Sequence, residues 1–154
     1  MEEYKIELTV RKLKIEELSS VDNCLRVAAV RAAKQAYAPY SHFNVGAAVL
    51  LSDGTIVEGN NQENVAYPSG LCAERVALFY AGASHPGIPV VSIAIVAVKD
   101  EEIQDTVSPC GACRQVLFET EQRYGHPVRI LLCGRDDVIV LSSAKDLLPV
   151  SFFI

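Results

Sequence analysis

An α/β fold, with a mixed central sheet of about five strands and helices packed on it, is predicted by three features of this 154-residue sequence. Strand-length apolar runs alternate along the chain with stretches of helical period. The two most apolar runs, Val90 to Val98 and Val128 to Cys133, do not alternate apolar with polar residues, as expected of central strands covered on both faces. Each of these runs also follows a helical stretch, the rhythm of strands joined through crossing helices.

The first element is a strand-like arm. From Tyr4 to Val10, the apolar Tyr4, Ile6, Leu8 and Val10 alternate with Lys5, Glu7 and Thr9, the period of a half-buried strand. A helix is predicted from about Ser20 to Ala36, where Val21, Leu25, Ala28, Ala29, Ala32 and Ala36 recur at spacings of three and four. Ser19 or Ser20 caps it and Pro39 bounds it. Asn44 to Leu51, the turn Ser52-Asp53-Gly54 and Thr55 to Glu58 read as a hairpin. Helices are expected from about Cys72 to Gly82, behind Pro68-Ser69-Gly70, and from about Gly111 to Tyr124, behind Ser108-Pro109. After the strand ending at Cys133, Asp136-Asp137 turns the chain into a short strand, Val138 to Leu141. Ala144 to Leu148 forms a last helical turn before Pro149. The length fits one domain over 1–154, with residues 1–19 as an added arm.

Composition narrows the function. With 14 basic and 19 acidic residues the formal charge is −5, which argues against the concentrated basic face of a nucleic-acid binder and favours a small-molecule substrate. Half of the residues are apolar, so a core can form without a disulfide scaffold. No window resembles a membrane span and the charged N-terminus does not read as a signal core, so a cytoplasmic protein is expected. Five cysteines without a secretion signal point to metal binding or burial, not to a disulfide set.

Cys110-Gly111-Ala112-Cys113 places two thiols one helical turn apart, a spacing that suits a shared metal, a redox pair or two buried cysteines. Cys72 stands in the same setting, where a turn delivers the chain to a helix N-terminus whose free N–H groups and positive dipole end favour thiolate. Cys24 and Cys133 are placed in the core, on the apolar side of the first helix and at the end of a buried strand. Three protein ligands leave a fourth position of a zinc ion open to water, whose pKa the ion lowers towards about 7. Such a site needs a proton carrier, and Glu74, two residues after Cys72, is placed as a non-ligand on the same helical turn.

Cys72-Ala73-Glu74-Arg75 and Pro109-Cys110-Gly111-Ala112-Cys113-Arg114-Gln115 resemble the signature of the cytidine deaminases, in their small homotetrameric branch with three zinc cysteines. The resemblance extends through Tyr37 to Ala48, Gly59 to Pro68, and Leu147-Leu148-Pro149 with Phe152, so it covers the chain from about Ser20 onward. It implies a three-layer α/β/α fold, one zinc per subunit held by Cys72, Cys110 and Cys113, and Glu74 as proton carrier. It further implies that Asn61 and Glu63 hydrogen-bond the ribose of a nucleoside and that Phe43 packs against the ligand. The Ala73 N–H would meet the base carbonyl, and Phe152 would reach the site of a neighbouring protomer. Three thiolates around a dication leave one net negative charge, which the resemblance assigns Arg75 to offset by hydrogen-bonding the sulfurs. The implied reaction is hydrolytic deamination of cytidine and 2′-deoxycytidine in pyrimidine salvage.

The sequence departs from the family pattern at Asn60 and Gln62, where relatives commonly carry cysteine and an aliphatic residue, and in the arm before Ser20. Two rival readings stand beside this one. A blasticidin-type aminonucleoside deaminase shares the three-cysteine core, against which Phe43 to Ala48 and the Asn61/Glu63 pair speak. A structural zinc module without chemistry would need a fourth ligand, with His42, His85 and His126 as candidates.

Overall fold

The computed structural model describes residues 1–153. Its strands are β1 (Arg11–Lys14), β2 (Asn44–Leu51), β3 (Ile56–Asn60), β4 (Val90–Lys99), β5 (Glu102–Ile103), β6 (Arg129–Cys133) and β7 (Asp137–Leu141). Its α-helices are α1 (Ser20–Ala33), α2 (Ala73–Ser84) and α3 (Gly111–Tyr124). The sheet runs β1-β7-β6-β4-β2-β3, with β5 on β4. Only β4 and β6 pair in parallel, with α3 as the crossover between them; the other pairings are antiparallel.

Two cores lie on opposite faces of this sheet, as the period of two requires. On one face Ala47, Val49, Ile93, Ile95, Ile130 and Leu132 pack against Ala73, Ala77, Leu78 and Ala81 of α2 and Leu117 of α3. On the other, Ala48, Ala94, Val96, Leu131 and Cys133 pack against Leu25, Ala28, Ala29 and Ala33 of α1. The result is the expected three-layer α/β/α arrangement. Close approach of helix to sheet depends on missing side chains at two points. A Cβ on Gly46 would fall 2.0 Å from the Ala29 carbonyl oxygen, and one on Gly59 would fall 2.4 Å from Ala77 N and 2.8 Å from Ala73 O. Gly59 therefore seats the N-terminal half of α2 directly on β3.

Four expectations need correction. The sheet has seven strands where about five were expected, because the Asp100-Glu101 turn returns the two-residue β5 onto β4 and because β1 adds an edge to β7. The arm's strand does not lie at Tyr4–Val10, which has no regular structure and is exposed; it lies at Arg11–Lys14. The partner strand explains this, since β7 ends at Leu141 and the following N–H groups of Ser142 and Ser143 turn to the Asp146 carboxylate instead of a neighbouring strand. Lys12 and Lys14 fix the register that does form, each with an ion pair of 2.7 Å to Asp137.

Helix α1 stops at Ala33, short of Ala36. Its last turn tightens through Gln35 and Ala36 N–H bonds to Ala32 and Ala33, and Tyr37 N–H is drawn to Asn61 O at 3.0 Å. Finally, Val21 and Cys24 are exposed, not buried. The face of α1 turned to the sheet at that end presents Asp22, which accepts two hydrogen bonds from Arg129. Ser19 caps the helix, accepting from Asp22 N at 3.1 Å. Cys133 is buried as expected, and burial pushes its thiol up to about 12.

Candidate metal centre and adjoining cavity

Two helix N-termini converge on one point. Cys72 is the N-cap of α2 and Cys110 the N-cap of α3, neither N-cap sulfur is taken up by a capping bond to the backbone of its helix, and Cys113 sits in the first turn of α3. Both helices thus turn their unsatisfied N–H groups and positive dipole ends towards sulfur. The turn before α3 is clamped by Arg114, whose Nε donates to Pro109 O at 2.9 Å and whose Nη1 donates to Leu147 O at 3.0 Å. Arg114 was singled out only as part of a motif; its role as a clamp could not be read without knowing where Leu147 lies.

The sulfurs of Cys72 and Cys110 stand 3.8 Å apart and those of Cys110 and Cys113 3.5 Å apart, with all three within 4.8 Å of one another. Tetrahedral zinc–sulfur bonds of about 2.3 Å set sulfur separations of about 3.8 Å, so the donor set fits one Zn2+ in both chemistry and spacing. Among the described residues no histidine or carboxylate joins the cluster within that distance. His42, His85 and His126 supply no fourth ligand, which removes the closed structural site.

The electrostatics favour thiolate at Cys72. In the metal-free protein the Cys72 thiol is pulled down to about 5, by the Cys113 thiol foremost and then by Arg75 and Cys110. Cys113 moves up, because Cys72 takes the charge first and Cys113 is fully buried. A bound cation would displace the protons of the ligating thiols. Arg75 Nη2 donates to Cys72 Sγ at 3.5 Å, while its Nε is buried without a hydrogen-bond partner among the described residues. Glu74 lies on the same turn of α2 and is only 5% exposed. Burial pushes its carboxyl up, and the Cys72 charge adds to that.

A cavity of about 370 Å3 opens beside Cys72 and Arg75 and is lined further by Tyr40, Ser41, Asn61, Glu63 and Tyr67. The segment after β3 is held from three sides: Asn61 N–H bonds Val45 O at 3.1 Å, Gln62 exchanges two 2.9 Å bonds with Leu71, and Glu63 N–H bonds Tyr37 O at 2.8 Å. Leu71 leads directly into Cys72, so the cavity wall and the first of the three cysteines are built on one strap of chain.

The side chains expected to meet a ligand are distributed unevenly around this space. Asn61 and Glu63 line the cavity, but each already has protein partners. Asn61 Oδ1 accepts from Val45 N at 2.8 Å and its Nδ2 donates to Phe43 O at 3.0 Å; each atom retains a second hydrogen-bonding position. Ala73 is fully buried at the first position of α2. Phe43 is half-buried beside β2 and is not among the lining residues. Phe152 is 71% exposed, and its carbonyl accepts from Gln115 Nε2 at 3.1 Å. Asn60 and Gln62 bond each other at 2.6 Å, and Asn60 is tied to Ala32 O of α1 at 3.1 Å, a link between residues 28 apart that no local pattern signals.

Comparison with known proteins agrees with this geometry. Residues 19–124 match the family model of the cytidine and deoxycytidylate deaminase zinc-binding region. Over 91 residues the chain is 50% identical to a cytidine deaminase of Halalkalibacterium halodurans, covering 59% of this chain and 65% of that one, slightly under two thirds of the relative's length. Over 110 residues it is 46% identical to a cytidine deaminase of Mycobacterium tuberculosis, covering 70% and 79%. The crystal structure of a cytidine deaminase from Burkholderia pseudomallei superposes with a TM-score of 0.71 at 41% identity, covering 84% of this chain and 97% of that one.

Proposed function

The chain belongs to the cytidine and deoxycytidylate deaminase family, and from that premise we propose that it hydrolyses cytidine and 2′-deoxycytidine to uridine and 2′-deoxyuridine, releasing ammonia. The observation that carries this reading is the meeting of three cysteine sulfurs at two helix N-termini, with a buried glutamate alongside and a polar-walled cavity opening onto them.

When bound, zinc supplies a Lewis acid that brings the ionisation of water towards neutral pH. Cys72, Cys110 and Cys113 would hold it, and Arg75 would offset the excess negative charge of three thiolates through its bond to Cys72. Glu74 carries the protons. Its buried carboxyl, already pushed up, takes one proton from the attacking water and delivers it to N3 of cytosine, then takes the second from the new C4 hydroxyl and delivers it to the departing amino group. The new C4–O bond replaces the C4–N bond, so water enters and ammonia leaves in balance. Asn61 and Glu63 offer their remaining hydrogen-bonding positions to the ribose, and the free N–H of Ala73 faces the base carbonyl.

The reading extends to a homotetramer working in the cytoplasm on free nucleosides in pyrimidine salvage, with one zinc per subunit. Exposure of Phe79, Tyr80, Phe152 and Phe153 supports assembly, since a monomer rarely leaves so many aromatic side chains bare. It also supports Phe152 acting in a neighbour's site. Among the described residues no helix is long and apolar enough to cross a membrane. The single domain over 1–154, with residues 1–19 as an arm, belongs to the same proposal. The test is turnover measured side by side on cytidine and on a blasticidin-type aminonucleoside. Loss of cytidine absorbance with ammonia release is expected; turnover of the antibiotic alone would assign the other branch.

A further inference from the structure

The loop at Tyr40-Ser41 closes on Glu63 through three hydrogen bonds. The N–H groups of Tyr40 and Ser41 donate to Glu63 Oε2 at 3.0 and 3.3 Å, and Ser41 Oγ donates to Glu63 Oε1. The same hydroxyl accepts from Phe43 N–H at 3.1 Å, so its single proton is directed to Glu63. Tyr40, Ser41 and Glu63 all line the cavity that ends at Cys72. The carboxyl of Glu63 is held below the usual carboxylate range, by the Ser41 hydroxyl first and by the two backbone N–H groups after it. An ionised carboxylate offers about four acceptor positions; three are filled here, which leaves one for a ligand.

We propose that Ser41 is a positioning residue for nucleoside binding: ordered by Phe43 N–H, its hydroxyl fixes Glu63 so that the remaining acceptor position receives one sugar hydroxyl. This rests on the reading of Glu63 as a ribose contact. It adds a specificity consequence, because one open acceptor serves one hydroxyl. The contribution of Ser41 is therefore confined to substrates that carry that hydroxyl.

The experiment compares the parent, Ser41→Ala and Ser41→Thr, all zinc-loaded, on cytidine, 2′-deoxycytidine and 3′-deoxycytidine. For Ser41→Ala on cytidine, KM rises about 10-fold while kcat stays within about twofold of the parent. With one of the two deoxynucleosides the penalty falls to about twofold or less, because the hydroxyl that Glu63 receives is gone. Ser41→Thr, which keeps the hydroxyl, restores the parent KM. An equal KM penalty on all three substrates, a fall in kcat alone, or no change in KM overturns the proposal while leaving deamination standing. Failure of the parent to turn over any of the three would overturn the functional reading and this inference together.

Discussion

Glu74 is an uncommon residue in its setting, a carboxyl group 5% exposed within one turn of three sulfurs. Burial raises its proton affinity, which suits the proton transfer from water to nitrogen proposed for it. Removing its ionisation while keeping its shape separates that task from metal holding. Glu74→Gln is expected to keep one zinc per chain and to lose about 10³-fold in kcat. Metal analysis beside steady-state rates checks this, and parent-like turnover with zinc retained would refute the assignment. Arg75 adds the opposing charge at the same cluster through the bond from its Nη2 to Cys72 Sγ.

At the scale of elements, the geometry of the site is set by what seats α2 and α3. Gly59 allows α2 to lie against β3 with backbone touching backbone. Gly59→Ala must move the turn bearing Ala73 and Glu74, and is expected to destabilise the fold by about 2–4 kcal/mol and to lower kcat. Denaturant unfolding and rates test this; an unchanged midpoint with full activity would show that the contact does not hold the helix. The β1 edge depends instead on charge. Lys12 and then Lys14 hold the Asp137 carboxyl below its ordinary 3.8. A carboxyl lowered in the folded state gives stability that is complete above its unfolded value and is lost as pH falls through the folded one. Hydrogen exchange at Arg11–Lys14, corrected for intrinsic rates, should therefore rise below pH 3.8 while β4 and β6 stay protected. Protection of Arg11–Lys14 that stays level with that of β4 and β6 throughout acid titration would contradict this. The central strands, the hairpin and α3 were legible in the sequence because buried runs and turn residues are local signals. The arm was not, since alternation at Tyr4–Val10 says nothing about whether a partner strand extends that far. Likewise the apolar period of α1 misplaced Cys24, because the burial of Asp22 depends on Arg129, which is distant in sequence.

Across the whole molecule, the chemistry-bearing residues come from three separate stretches, the strap 61–63, the start of α2 and the start of α3, and the sheet is what brings them together. The cysteines and Glu74 could be chosen from spacing and resemblance, Asn61 and Glu63 from resemblance alone. The bracing could not, because Ser41 to Glu63, Asn60 to Ala32 and Arg114 to Leu147 join residues whose proximity only the fold creates. A whole-chain reading therefore stands or falls on whether the three sulfurs hold a working ion. Ammonia release from cytidine by the purified protein, followed through removal of its metal with a chelator and restoration with zinc, measures this directly. Release that stops on removal and returns as zinc approaches one per chain is the predicted result. Full release from protein without metal, or none at one zinc per chain, would contradict it.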